Sequence, residues 1–144
     1  MHPAGSVIVF TVASGLGFGL LTWLGIGLPE VRGWVAFWHY ALGFSLAGGG
    51  LLASTFHLGN PQRFLMAFSQ WRSSWLSREG CLAVAALAVL GLFAIGKIFL
   101  EANWQVLGYL GAILAVLTVF ATSMIYAQLK TVPRWNHWST PALF

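Results

Sequence analysis

The segments Phe56-His57-Leu58-Gly59-Asn60-Pro61-Gln62-Arg63 and Leu76-Ser77-Arg78-Glu79 hold much of the polar chemistry in a chain otherwise dominated by apolar residues. They supply an imidazole (His57), two guanidinium groups (Arg63 and Arg78) and a carboxyl (Glu79). Histidine titrates near neutral pH, and ionisable groups in or beside a membrane span are costly to keep, so both His57 and Glu79 are candidates for moving protons. A histidine and a carboxyl gathered at one membrane face suit a quinone. Its reduction takes up two electrons and two protons, and its ring oxygens need hydrogen-bond partners. A plainer reading stands beside this one. Glu79 can be a helix-end carboxylate paired with a nearby arginine, and His57 a satisfied interfacial residue.

The elements that must position these groups follow from composition. Of 144 residues, 58% are hydrophobic and only 7% charged, and aspartate is absent. A soluble domain carries about a quarter charged residues, so a water-soluble enzyme, a nucleic-acid module and a disordered chain are excluded. An integral membrane protein remains. Four stretches, near residues 6–28, 34–56, 80–100 and 104–128, are long and apolar enough to cross a bilayer as helices. Only Lys97 is charged inside them, close enough to an end to snorkel. The short alternating segments of a β-barrel are not visible. The expected fold is therefore all-α, a four-helix antiparallel transmembrane bundle forming one domain over residues 1–144. The N-terminus lacks a basic n-region, so the first stretch reads as a retained span. The single cysteine, Cys81, excludes an internal disulfide and a multi-cysteine metal or iron–sulfur site.

Connectors divide the molecule into two sides. Pro29-Glu30-Val31-Arg32-Gly33 and Glu101-Ala102-Asn103 are minimal turns on one side; the N-terminus, an interfacial loop at 58–79 and the tail from 129 lie on the other. The basic residues split in the same way, with Arg63, Arg72, Arg78, Lys130 and Arg134 on the long-loop side against Arg32 and Lys97. By the positive-inside rule both termini and the loop are cytoplasmic. They form no basic stripe, so no nucleic-acid partner is expected.

Within the loop, Asn60-Pro61 reads as an N-cap followed by proline at the first helical position, starting a short interfacial helix through Phe68. Ser77 reads as the cap of the third span, with Glu79 in its first turn. His57, Arg63, Arg78 and Glu79 then converge at one membrane face. Gly15, Gly17 and Gly19 in the first span, and Gly43, Gly48, Gly49 and Gly50 in the second, suit close helix packing or room for a flat ligand. Most tryptophans fall at span ends as interfacial anchors. Haem is the rival ligand. His39 and His57 share one helix about 27 Å apart along its axis, but the other spans contain no histidine, so no haem is expected.

The same segments carry a family resemblance. The run from Phe56 to Arg63 resembles the His-Leu-Gly-(Ser/Asn)-Pro-x-Arg signature of the dimethyl sulfoxide reductase membrane-anchor family. Leu76-Ser77-Arg78-Glu79 is similar to its Leu-Ser-x-Glu motif. Met124-Ile125-Tyr126-Ala127 and Thr131-Val132-Pro133-Arg134-Trp135 resemble its Tyr and Thr-Val-Pro-x-Trp elements. The resemblance implies an anchor subunit of a molybdenum oxidoreductase complex in the bacterial cytoplasmic membrane. Such a subunit carries no haem, binds ubiquinone or menaquinone, and docks an iron–sulfur subunit that relays electrons to or from a molybdopterin catalytic subunit. By motif position the quinone-site residues are His57, Arg63 and Glu79.

Family members resemble eight-span proteins of roughly twice this length, so the chain corresponds to their N-terminal half. Dimethyl sulfoxide reductases resemble outward-facing complexes, whereas the basic residues here favour a cytoplasmic docking side. That suits the cytoplasm-facing sulfite-oxidising complexes, which the opening His2-Pro3-Ala4-Gly5-Ser6-Val7-Ile8 also resembles. The expected function is electron transfer between the iron–sulfur partner and quinone, with quinol oxidation in a dimethyl sulfoxide reductase as the alternative direction. A purely structural anchor, holding its partner through Trp71, Arg72, Arg134 and Trp135, and a haem b cytochrome subunit are the other readings.

Overall fold

The structure is a computed structural model that describes residues 5–55, 68–100, 102, 104–128, 136–137 and 139–142. The expectations for His57, Arg63, Arg134 and Trp135, and for the interfacial helix begun by Asn60-Pro61, lie outside the described residues. Among the described residues four α-helices make up the fold: α1 (Gly5–Ile26), α2 (Gly33–Thr55), α3 (Trp75–Ile95) and α4 (Gln105–Ala127). All four are long and apolar enough to cross a membrane, and the described residues contain no strand. The all-α bundle expected from hydropathy is what forms.

The helices pair as two antiparallel hairpins, α1 with α2 and α3 with α4, joined through an extensive α1–α4 contact; α2 and α3 touch little. Lipid tails are as apolar as leucine, so close van der Waals packing and interhelical hydrogen bonds must hold such helices together. The seams accordingly fall on small residues. A Cβ added to Gly17 would run into the Ala47 backbone, and one on Gly108 into the Gly25 carbonyl oxygen. The core between the helices holds Phe18, Leu21, Leu24, Tyr40, Leu90 and Phe93, with alanines filling the closer approaches. Tyr40 donates its hydroxyl to the Leu24 carbonyl at 3.3 Å and meets Phe93 edge-on. Outward-facing side chains are also apolar, including Val9, Leu16, Val106 and Ile113, as a lipid-facing surface requires. Trp23, Trp34, Trp38 and Trp104 are exposed.

The end of α1 shows how a membrane helix satisfies its last carbonyls. Gly27 adopts φ +96°, and the amides of Gly27 and Leu28 bond back to Leu24 and Trp23, the pattern of a Schellman cap. Gln105, at the start of α4, donates its side-chain amide to the carbonyls of Gly25 at 2.9 Å and Ile26 at 3.2 Å. A residue of the last helix thus finishes the first. At the same side, α3 widens into a π-helical turn over Gly96–Leu100, where Lys97 sits over the Phe93 ring at 5.5 Å.

Two local expectations are corrected. α3 starts at Trp75, with Ser74 in the extended N-cap conformation, so Ser77 lies inside the helix and is not its cap. Glu79 is consequently beyond the first turn, and Arg78 and Glu79 join Lys97 as charged residues within the third helix. The physical reason is that hydropathy marks the stretch embedded in hydrocarbon, whereas the helix continues outward into the interfacial layer, where polar side chains cost little.

Candidate functional site

The approach to α3 is a tight turn in which the amides of Ser73 and Ser74 both bond to the Gln70 carbonyl, at 3.1 and 3.0 Å. Arg78, one turn into the helix, reaches back over it. Its Nε donates to the Trp71 carbonyl and a terminal nitrogen donates to the Arg72 carbonyl, each at 3.0 Å, while the guanidinium stacks 4.4 Å above the Trp75 ring. Three fixed contacts define this arginine as the clasp of the loop. It leaves the side chains of Trp71 and Arg72 exposed at the face where docking is expected.

The next residue projects the other way. Successive helical side chains are offset by about 100°, so Glu79 leaves the loop face and enters the α3–α4 seam. Only 3% of it is exposed. Its Oε1 accepts a hydrogen bond from the Thr122 hydroxyl at 2.5 Å. The carboxyl therefore lies about 6 Å along the axis from the start of α3, one turn inside the bundle. Arg78 is not its partner. Adjacent residues on a helix cannot share a face, and the carboxyl meets a neutral hydroxyl from another helix; Arg63 and Arg134 lie outside the described residues.

Thr122 belongs to a polar stripe on α4 that hydropathy and motif spacing do not single out. Thr118 and Thr122 stand four residues apart in an otherwise apolar span, and Tyr126, one turn further, lies within electrostatic reach of Glu79. The signal was the spacing itself, since hydroxyls at i and i+4 share a helix face. Thr118 and Ser123, also buried, donate to carbonyls of their own helix, Leu114 at 2.8 Å and Phe120 at 2.6 Å. Ser77 is 1% exposed, and its hydroxyl has no hydrogen-bond partner among the described residues.

Of the three expected quinone-site residues, the structure thus places Glu79, while His57 and Arg63 lie outside the described residues. At the same end of the bundle, Asn136 donates its side-chain amide to the Ala127 carbonyl at 2.8 Å, so this part of the tail lies against the end of α4. With Met124, Ala127, His137 and Pro141 it lines a groove of about 400 Å³.

What such a site can do chemically is narrow. A buried carboxyl held by a rotatable hydroxyl can take up and release a proton in place, and it can equally tie two helices together.

Comparisons with known proteins agree with the architecture. The C subunit of the sulfite dehydrogenase of Allochromatium vinosum is 34% identical over 94% of this chain and 48% of its own length. The anaerobic dimethyl sulfoxide reductase chain YnfH of Escherichia coli K12 is 32% identical over 96% of this chain and 51% of its own. The chain therefore spans about half the length of these relatives. No solved structure gives a significant match. The DMSO reductase anchor subunit (DmsC) model matches residues 1–144, and with four apolar helices in the predicted arrangement, the chain belongs to that family of membrane anchors.

Proposed function

We propose that this chain is the quinone-reactive part of a membrane anchor for a molybdopterin oxidoreductase complex in the bacterial cytoplasmic membrane. It passes electrons between an iron–sulfur subunit and the quinone pool. The observation that carries this reading is Glu79, a carboxyl buried one turn inside a membrane helix with a hydroxyl partner from the facing helix. A carboxyl sealed inside the helix bundle is costly to keep, which favours a working role.

The direction favoured is sulfite oxidation towards quinone. It is supported by the relative named for a sulfite dehydrogenase and by the basic residues that put the docking side in the cytoplasm. Two electrons arrive from the iron–sulfur partner. His57 and Glu79 supply the two protons that complete the quinol and recover them from cytoplasmic water. Arg63 hydrogen-bonds a ring oxygen. Trp71, Arg72, Arg134 and Trp135 hold the iron–sulfur partner, as aromatic and arginine side chains do at protein interfaces. The relative named as a dimethyl sulfoxide reductase chain supports the same site run in reverse, with quinol as donor.

A second reading has its own observation. Glu79 is almost sealed, so its bond to Thr122 can serve as an interhelical staple in a purely structural anchor. One experiment separates the two. In the purified complex, His57→Ala and Glu79→Gln are assayed with quinone and, separately, with an artificial dye at the soluble subunits. Loss of quinone-linked turnover by about 10²-fold or more with dye activity intact is expected for proton-transfer groups. Unchanged quinone turnover in both variants refutes the site, and loss of assembly in Glu79→Gln alone supports the staple.

A further inference from the structure

We propose that Thr122 is the positioning residue of Glu79, its hydroxyl being the partner that serves the carboxyl in both of its protonation states. The inference rests on the quinone-reactive reading of Glu79 and adds a residue on another helix to it.

The geometry is specific. Thr122 Oγ1 lies 2.5 Å from Glu79 Oε1 and 3.1 Å from the Thr118 carbonyl oxygen. A hydroxyl has one proton to give and lone pairs with which to accept. When Glu79 is ionised, its carboxylate only accepts, and Thr122 donates to it. When Glu79 carries a proton, its own O–H donates to Thr122 Oγ1, and the threonine proton swings to the Thr118 carbonyl. Both arrangements keep every heavy atom in place; they differ by the carboxyl proton and by a rotation of the threonine hydroxyl about its Cβ–Oγ1 bond. The proton that Glu79 releases goes to its acceptor, and the one it regains comes from water, so Thr122 itself is unchanged over the cycle.

Among the described residues the surroundings leave this task to Thr122. Arg78, the nearest charge on α3, is committed to the Trp71 and Arg72 carbonyls. Thr118 and Ser123 spend their protons within α4. Tyr126 is the titratable side chain of α4 within reach of Glu79. Thr122 is 6% exposed, so it works without bulk water at its side. A buried carboxyl deprived of this partner in either state would be left short of a hydrogen bond, and its proton exchange would slow.

The test uses the assembled complex with quinone as substrate and dye-linked turnover as the control. Thr122→Val keeps the shape and removes the hydroxyl; it should lower quinone-linked kcat roughly tenfold to a hundredfold with KM within about twofold. Thr122→Ser should restore turnover to within about threefold. Placed in a Glu79→Gln background, Thr122→Val should have no further effect, because the two residues act as one unit. Should Thr122→Val fail to assemble, Thr122→Ala carries the same expectation. Wild-type turnover in the hydroxyl-free variant beside a crippled Glu79→Gln overturns the role of Thr122 and leaves the quinone reading standing. Wild-type turnover in Glu79→Gln overturns the role of Thr122 together with that of Glu79 in the quinone site. Equal losses in the serine and valine variants, or an additive loss in the double variant, assign Thr122 to packing and overturn the proposal.

Discussion

Gly15, Gly17 and Gly19 lie two residues apart on α1, yet they should respond in opposite ways to the same added methyl group. Two residues turn a helix by about 200°, so Gly17 faces away from its neighbours and into α2. A Cβ there would overlap the Ala47 nitrogen and stand 2.7 and 2.9 Å from its Cα and Cβ, where ordinary contact begins at 3.4 Å. Two of those three atoms are backbone and cannot swing aside, so α1 and α2 must part by about 1 Å at that level. Overpacking of this kind costs about 1–3 kcal/mol. Helix propensity returns about 0.5–1 kcal/mol when glycine becomes alanine. The net expectation for Gly17→Ala is a loss of about 1 kcal/mol, and up to about 2.5 kcal/mol. At Gly15 and Gly19 the added Cβ meets nothing within 4 Å, so only the gain of about 0.5–1 kcal/mol remains. Thermal unfolding in detergent can be followed by labelling Cys81, the only cysteine in the chain and partly shielded in the fold. Gly17→Ala should lower Tm by a few degrees, while Gly15→Ala and Gly19→Ala hold or raise it. A Gly17→Ala protein as stable as the wild type, or a Gly15→Ala protein equally weakened, would refute the packing described for the α1–α2 seam.

Two further outcomes are expected. Gln105→Leu removes both donations to the end of α1 and should cost about 1–2 kcal/mol in the same unfolding measurement; Gln105→Glu, which cannot donate, should do no better, and no loss in either would remove Gln105 from the seam. In the proposed orientation the long-loop side faces the cytoplasm, so green fluorescent protein fused after Phe144 should fluoresce in cells and alkaline phosphatase inserted at the 29–33 turn should be active; the reverse pattern inverts the orientation.

Much of the architecture was legible because a bilayer demands about 20 apolar residues per helix and polar turns between them. Both conditions can be read off a single strand of sequence. What escaped was of another kind. Hydropathy puts the third span at 80–100 with Ser77 as its cap, but the helix extends outward to Trp75. The partner of Glu79 sits on another helix, and local spacing does not encode which faces meet across a seam. The same holds for the glycines of α1, alike in sequence and separated in consequence by what happens to lie opposite them. Glu79 could be singled out as an ionisable group in an apolar setting; the Thr118–Thr122 spacing marks a polar face of α4, but that this face meets Glu79 emerges only once α3 and α4 are laid side by side.

The seam between α1 and α4, where Gly25 meets Gly108 and Gln105 closes the end of α1, ties together the two most distant helices of the chain. During synthesis α1 can dock on α2 almost at once, but its remaining face must wait until α4 has been inserted. Until then that face is available to lipid or to a neighbouring nascent chain, so the late arrival of α4 is the step at which assembly succeeds or goes astray.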